Sequence, residues 1–479
     1  MSVHIVSNSV ELCKFIARLG LKLTNPQLRH VTNVADALIV SEARRKTLSA
    51  LQRELLDPPS DQYALADCFR ESPWTAEHIR SRLLVHLVRL AIRLARLLHL
   101  EKIIFISCDD SLCVKDAATR YLEAVDWHHD HTASTKKRPV YRNGSVYVLC
   151  RLQIGFIQFT INWRLYLRRK TVRRLNRQRA RPQRLSYASK YTLAQQMLEE
   201  LRPLLPDDFT VYVLFDSWYT AAKLIAFIRR QGWHVICALK ANRTLRRLGQ
   251  PGQPRVVKQQ VRQWAKELRY TPHTRVRVEA ADGTATTYLV RPLTGRLNRA
   301  PFDVCVLISK RTRRDKRPAY FLCTDLSLNP QTVLKYYLLR WPCEVDNWYL
   351  KEALGLADYQ MQRLEAIAKY HAVVFLALAY LQWRAVRVTL RDRTAPSTLA
   401  DVIHEHRQEH YRQLVEAVAR MTLDVGAVEP VLDHFLRQSP PQPLPVTPPV
   451  CVRTRTGRLV QPVSACLRRQ VAQTAPGYT

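Results

Sequence analysis

Apolar positions recur at helical spacing through the first hundred residues. The clearest run is Ile79 to Leu100, where Leu83, Leu84, Leu87, Val88, Ala91, Leu94, Ala95 and Leu98 form one stripe. Arg82, Arg89, Arg93 and Arg96 lie mostly off that stripe, so the pattern predicts a helix with a basic face. From Lys102 the period changes. Residues 102–108 are a short apolar, β-branched run, as in a buried strand. Residues 145–167 read as two more strands, with Gly144 and Gly155 as turn points. A helix over 192–205, a strand over 209–215, a helix over 220–231 and a strand over 233–239 follow, and this alternation predicts an α/β core. Between 241 and 326 the pattern turns β-rich, with short strands at 287–291, 304–308 and 320–323 between two helical regions, as in an insertion. Asn329-Pro330 is a helix start, a cap residue followed by proline at the first helical position. Helices then run to about Leu390, and 397–437 is helical again. The stretch from Ser439 to Pro449 holds six prolines and reads as a linker or extended arm.

Charge narrows the function. Lys and Arg total 75 against 40 acids, a net charge of +35. Such an excess favours a polyanionic partner, above all nucleic acid. An anionic membrane would need an amphipathic or lipidated anchor, and none stands out. The most apolar window, Ala372 to Leu381, is too short to span a bilayer and reads as a buried core helix. No basic, then apolar, leader opens the chain. The 11 cysteines include no Cys-x-x-Cys pair, which argues against a zinc site, and their irregular spacing suits a reducing cytoplasm.

Three acidic positions carry the chemistry. Asp109 and Asp110 are expected directly after the first buried strand, and Asp216 directly after the strand at 209–215. Carboxylates at strand carboxyl ends sit where open α/β sheets place their ligands. The third is Glu344. Tyr337, Arg340, Glu344 and Lys351 stand at offsets 0, 3, 7 and 14. On one continuous helix these would share roughly 60° of arc, although Pro342 should kink or restart it. Phosphodiester cleavage needs an activated water or hydroxyl and a stabilised leaving oxygen, which carboxylate-held divalent metals can provide.

The spacing Tyr-x2-Arg-x3-Glu-x6-Lys resembles, without a gap, the Y-R-E-K signature of one large group of bacterial insertion-sequence DDE transposases. Leu354-Gly355-Leu356 after Lys351, the Asp216-Ser217-Trp218-Tyr219 segment and Asp109-Asp110-Ser111 are similar to that group as well. The resemblance covers about residues 102–390. It implies an RNase H-like catalytic core with a β-rich insertion, Mg²⁺ or Mn²⁺ as cofactor, and paired binding of transposon ends by a homodimer. It implies Asp110, Asp216 and Glu344 as the catalytic, metal-holding triad. Asp110 is preferred because the group's acid directly precedes Ser or Thr, and Asp109 stays open. Tyr337, Arg340 and Lys351 would contact the DNA end near the scissile phosphate, with hairpin ends as an intermediate.

Residues 164–184 carry nine Arg and Lys170, and no acid occurs between Asp130 and Glu199. Without acids to compensate it, this run is expected to bind phosphate, through Arg168, Arg169, Arg173 and Arg174 among others. In the run His128-His129-Asp130-His131 adjacent residues of an extended segment point alternately and seldom converge on one ion, so a structural or DNA-contact role is expected before a metal one.

The expected organisation is α/β: a helical, DNA-end-binding region over 1–100, an RNase H-like core over 101–240, a β-rich insertion over 241–326, the helical part of the core with the Glu over 327–390, a C-terminal helical region over 391–438, and a Pro-rich flexible tail over 439–479. The expected function is metal-dependent cleavage at transposon ends and strand transfer into double-stranded target DNA, by a cytoplasmic, nucleoid-associated bacterial protein. Two alternatives stand beside it: a transposase-derived DNA-binding protein without activity, and an RNase H-like nuclease or resolvase that cuts but does not join.

Overall fold

The computed structural model describes residues 4–56, 63–130, 133–135, 138–248, 256–279, 285–298, 300–315, 317–392 and 396–437. The proline-rich stretch, the tail and His131 lie outside the described residues.

Five helices open the chain: α1 (Val10–Leu19), α2 (Asn25–Val40), α3 (Leu48–Gln52), α4 (Ala64–Arg70) and α5 (Ala76–Leu97). Thr24 and Gln27 form a capping box at the start of α2, and Thr75 caps α5. The leucine stripe of α5 is its buried face, as its periodicity predicts.

The strands β1 (Ile103–Val114), β2 (Asp126–His129), β3 (Tyr141–Ile154) and β4 (Ile157–Tyr166) follow. Next come α6 (Arg169–Asn176), α7 (Lys190–Leu201), β5 (Thr210–Phe215), α8 (Ala222–Arg230) and β6 (His234–Ala238). In space the core order is β4-β3-β1-β5-β6. β3 runs antiparallel to both β1 and β4, and β1, β5 and β6 are parallel. This is the strand arrangement expected of an RNase H-like core. Gly155 turns β3 into β4 with φ of 56°. Gly144 is not a turn point. It lies inside β3, where a Cβ would collide with the Cys113 carbonyl of β1, so its lack of a side chain permits close strand approach.

The β-rich stretch contributes β7 (Thr244–Leu248), β8 (Val256–Gln260), α9 (Val261–Glu267), β9 (Thr274–Glu279), β10 (Ala285–Leu297), β11 (Asp303–Lys310) and β12 (Ala319–Cys323). It continues the core sheet, because β12 pairs antiparallel with β6. The chain then enters α10 (Pro330–Leu338), α11 (Pro342–Trp348), α12 (Leu364–Asp392), α13 (Leu399–Val425) and α14 (Val428–Arg437). Asn329 caps α10 by accepting from Thr332 N.

α12 is the central pillar. It packs against α2, α5, α13 and β4, so the N-terminal helices and the sheet share one hydrophobic cluster. Among the described residues it is the one helix long and apolar enough to cross a membrane, and 89% of its most apolar window is buried inside the protein. A second, smaller cluster joins Phe105, Tyr212, Leu214 and Val290 to Leu334 of α10 on the other face of the sheet.

Candidate active site

The sequence placed Asp109 and Asp110 just beyond a strand, but both lie inside β1. β5 accompanies β1 only as far as Cys108, opposite Phe215, whereas the longer β3 carries it on to Val114. Asp109 is therefore one step past the end of the parallel pairing on β1, and Asp216 one step past it on β5. The two acids thus follow the last paired residues of neighbouring strands, close enough for the charge of Asp216 to act on Asp109.

Strand alternation sends Asp109 and Asp110 to opposite faces. Asp109 shares the face of Phe105, toward α10 and α11. There its Oδ2 lies 3.5 Å from Nη1 of Arg340, whose Nη2 is 2.6 Å from Glu344 Oε1. Asp110 faces α7. Its Oδ2 is 2.6 Å from Lys190 Nζ, and its Oδ1 accepts from the Tyr219 hydroxyl at 3.0 Å. Asp216 Oδ1 accepts the backbone N–H of Trp218 at 2.9 Å.

Pro342 restarts the helix as the sequence suggested. α10 ends at Leu338, a turn covers 339–341, and Glu344 stands in the first turn of α11, where an acid complements the helix dipole. A π-helical turn (Tyr349–Ala353) then holds Lys351. The signature residues thus lie on α10, in the turn that follows it, on α11 and in the π-helical turn, instead of on one continuous helix. Arg340 joins the acids, and its guanidinium lies 5.8 Å from the Tyr337 ring centroid. Tyr337 also packs on Phe321 at 4.8 Å. Lys351 is not drawn into the acid cluster. Its charge acts on the buried Cys113 thiol farther along β1, and among the described residues it makes no ion pair.

Burial pushes the Asp109 carboxyl up to about 7. Arg340 opposes that, while the charges of Asp110 and Asp216 add to it. Burial also raises Asp216, against the Trp218 N–H and Arg340 and with help from Asp110. Two half-buried acids raised by burial and by neighbouring carboxylates mark a site short of positive charge. Arg340 and Lys190 supply part of it. An all-oxygen carboxylate set of this kind fits a hard divalent cation.

Two features were missed in the sequence. The first is an anchor beneath Glu344. Asp346 Oδ2 pairs with Arg151 Nε of β3 at 3.0 Å and accepts from Thr160 Oγ1 of β4 at 2.9 Å. Arg151 and Asp346 are both buried, so this pair pins α11 to the sheet. A lone arginine within the apolar run of β3 was the available signal. The second is a cavity of about 220 Å³ beside Asp110, lined by Tyr166, Tyr187, Lys190, Tyr191 and Trp218. Its aromatic residues come from three separate segments.

The basic run is less free than expected. Acids remote in sequence do compensate it: Arg164 pairs with Glu200, Arg168 and Lys170 with Asp126, and Arg179 with Glu123 and Glu365. Of the four arginines singled out, Arg169, Arg173 and Arg174 are exposed, and Arg169 stacks over Tyr187 at 4.8 Å. His128 is buried against Tyr166, and burial lowers its pKa to about 4, as suits a structural imidazole. His129 bonds to Ser134.

Residues 20–297 match the family described as DDE superfamily endonuclease, more than half of the chain. The chain belongs to the DDE superfamily endonucleases. Members of this superfamily usually use divalent metal ions, in keeping with the carboxylate set described above. The match includes Asp109, Asp110 and Asp216 and ends before Glu344, so Glu344 stands on its geometry. No curated protein sequence matches this DDE endonuclease. Among solved structures, it is similar to the piggyBac transposase in a cryo-EM synaptic complex with hairpin DNA, at 11% identity and a TM-score of 0.38. The alignment covers 72% of this chain and 59% of that one, so it spans less than two thirds of the piggyBac chain.

Proposed function

We propose that this DDE endonuclease is a transposase that cuts DNA at transposon ends and joins the freed 3′ ends to target DNA. The observation that carries the reading is Arg340, which reaches both Asp109 and Glu344 and acts on Asp216 where the parallel pairing of β1 with β5 stops. Mg²⁺ or Mn²⁺ held by these carboxylates would supply the charge that activates the attacking oxygen and stabilises the leaving one. The resemblance of the Asp-Ser segment favours Asp110 as the first acid. The geometry favours Asp109, which shares Arg340 with Glu344, while Asp110 is committed to Lys190 and Tyr219.

In the first step water attacks the phosphodiester and the 3′-hydroxyl leaves. In the second that hydroxyl attacks a target phosphodiester, and a new 3′-oxygen leaves. Arg340 serves two anions in turn, the acids in the DNA-free chain and a phosphate in the complex, where its planar fork can bind two oxygens. Tyr337 and Lys351 complete the grip on the DNA end, as the Y-R-E-K signature implies. Arg169, Arg173 and Arg174 meet phosphate outside the cleft, and residues 1–100 take part in holding the end. Two copies act together on paired ends in a bacterial cytoplasm.

The test uses DNA carrying the inverted repeats that bracket the gene itself. Nicking and strand transfer are expected in Mg²⁺ or Mn²⁺. Cutting without joining would make the protein a nuclease, and binding without either would make it an inactive derivative. If cleavage proceeds by hairpin ends, Arg340→Ala should accumulate nicked DNA on a denaturing gel.

A further inference from the structure

Apart from the acid site, three side chains meet in the buried interior where α2, α12 and α13 pack together. Asp36 of α2, His406 and His410 of α13 are all buried. His406 Nε2 lies 2.7 Å and His410 Nε2 2.9 Å from the same oxygen, Asp36 Oδ1. The other carboxylate oxygen accepts the backbone N–H of Ser9 at 2.8 Å. Behind His406, Nδ1 lies 3.2 Å from the Tyr380 hydroxyl of α12. Among the described residues this is the one group of three metal-ligating side chains with all its ligand atoms within 4.8 Å of one another.

We infer that Asp36, His406 and His410 form a transition-metal site of the zinc class that clamps the N-terminal helices to α13. The argument is independent of the transposase reading. His406 and His410 are four residues apart, so a straight helix presents both rings on one side, the spacing by which helical histidine pairs hold zinc. Their Nε2 atoms converge on one carboxylate oxygen. Two imidazoles and one carboxylate are a donor set that suits zinc and disfavours Mg²⁺, which the acid cleft suits. Tetrahedral zinc ligands stand about 3.3 Å apart, so the ion would open these contacts by roughly half an ångström. Tyr380 is placed to receive the outer N–H of His406, the partner that fixes a ligating ring. A carboxylate with no solvent contact needs a cation beside it. A metal ion supplies one, and its rival is a proton shared with the two rings. The absence of paired cysteines spoke against zinc, but here the ligands come from histidines and an acid about 370 residues away.

The full chain, freed of metal with a chelator, is titrated with Zn²⁺ against a chromophoric competitor. One equivalent is expected to bind with sub-micromolar affinity. His406→Gln and His410→Gln should each weaken this by roughly 100-fold or more. The double variant Asp216→Asn/Glu344→Gln, which disables the acid cleft, should bind it as wild type does. Where the histidine variants fail to fold, Co²⁺ in the wild-type chain decides: intense visible bands of a tetrahedral site are expected. Weak octahedral bands alone, no tight zinc, or zinc lost with the cleft acids would each overturn the inference and leave a protonated His-Asp-His knot.

Discussion

Glu344 and Asp346 stand two residues apart on α11 in opposite surroundings. Glu344 keeps 35% of its side chain exposed and touches Arg340, which is shared with Asp109. Asp346 is buried among Arg151, Thr160 and Gln382, and burial holds its carboxyl above the usual range despite Arg151. The helix thus turns one acid to the open cleft and plants the other in the core. A mobile acid would hold a metal poorly, so the buried pair positions the exposed one. A buried ion pair adds little stability over an apolar replacement, but breaking it on one side is severe.

The largest expected effect falls on the open side. Glu344→Gln should lower cleavage on the order of 1,000-fold in Mg²⁺ while thermal melting stays near wild type. Unchanged cleavage would remove Glu344 from the site.

Asp346→Ala should act the other way round, through the fold. It leaves the Arg151 guanidinium buried and unpaired and should destabilise the protein by about 3–5 kcal/mol in urea. Arg151→Met with Asp346→Leu should recover most of that, and cleavage should then report how far the ionic pair aims Glu344. If Asp346→Ala unfolds no more easily than wild type, the contrast between the two faces is wrong.

Asp109 sharpens the comparison through pH. Its folded pKa, about 7, exceeds its usual value of 3.8, so the folded protein holds the proton more tightly than the unfolded chain. Its contribution to stability is therefore greatest below pH 4 and declines as pH rises to about 7. In chelator, Asp109→Asn should match wild type near pH 4 and exceed it by about 4 kcal/mol at pH 8. A gap that does not grow with pH would show that Asp109 is not held in a cation-poor site. In cleavage assays, Asp109→Asn and Asp110→Asn compare the two faces of β1, and the stronger loss is expected for Asp109.

The smallest effect concerns the basic run. Neutralising Arg169, Arg173 and Arg174 should reduce the salt dependence of DNA binding, each phosphate contact lowering the slope by about 1. Arg168, tied to Asp126, should contribute less. Equal effects would mean that the ion pair opens on DNA.

Legibility in the sequence followed locality. The α5 stripe, the buried strands, the Asn329 cap and the Pro342 restart were readable because each rests on neighbours a few residues away. Gly144 was misread because its constraint comes from Cys113, a strand partner about 30 residues earlier. The compensation of the basic run was hidden for the same reason: Asp126, Glu200 and Glu365 are distant in sequence and close in space.

Element types, the excess positive charge, Asp216 just past its strand and Glu344 just after Pro342 could be read from the chain, since period, charge and capping are properties of short segments. Which of Asp109 and Asp110 faces Glu344 came from the tertiary structure, since it depends on which face of β1 α10 and α11 cover. The tertiary structure alone showed that Asp346 is an anchor and that Asp36 meets His406 and His410. Such contacts are fixed by packing around α12, which joins segments that no local pattern relates.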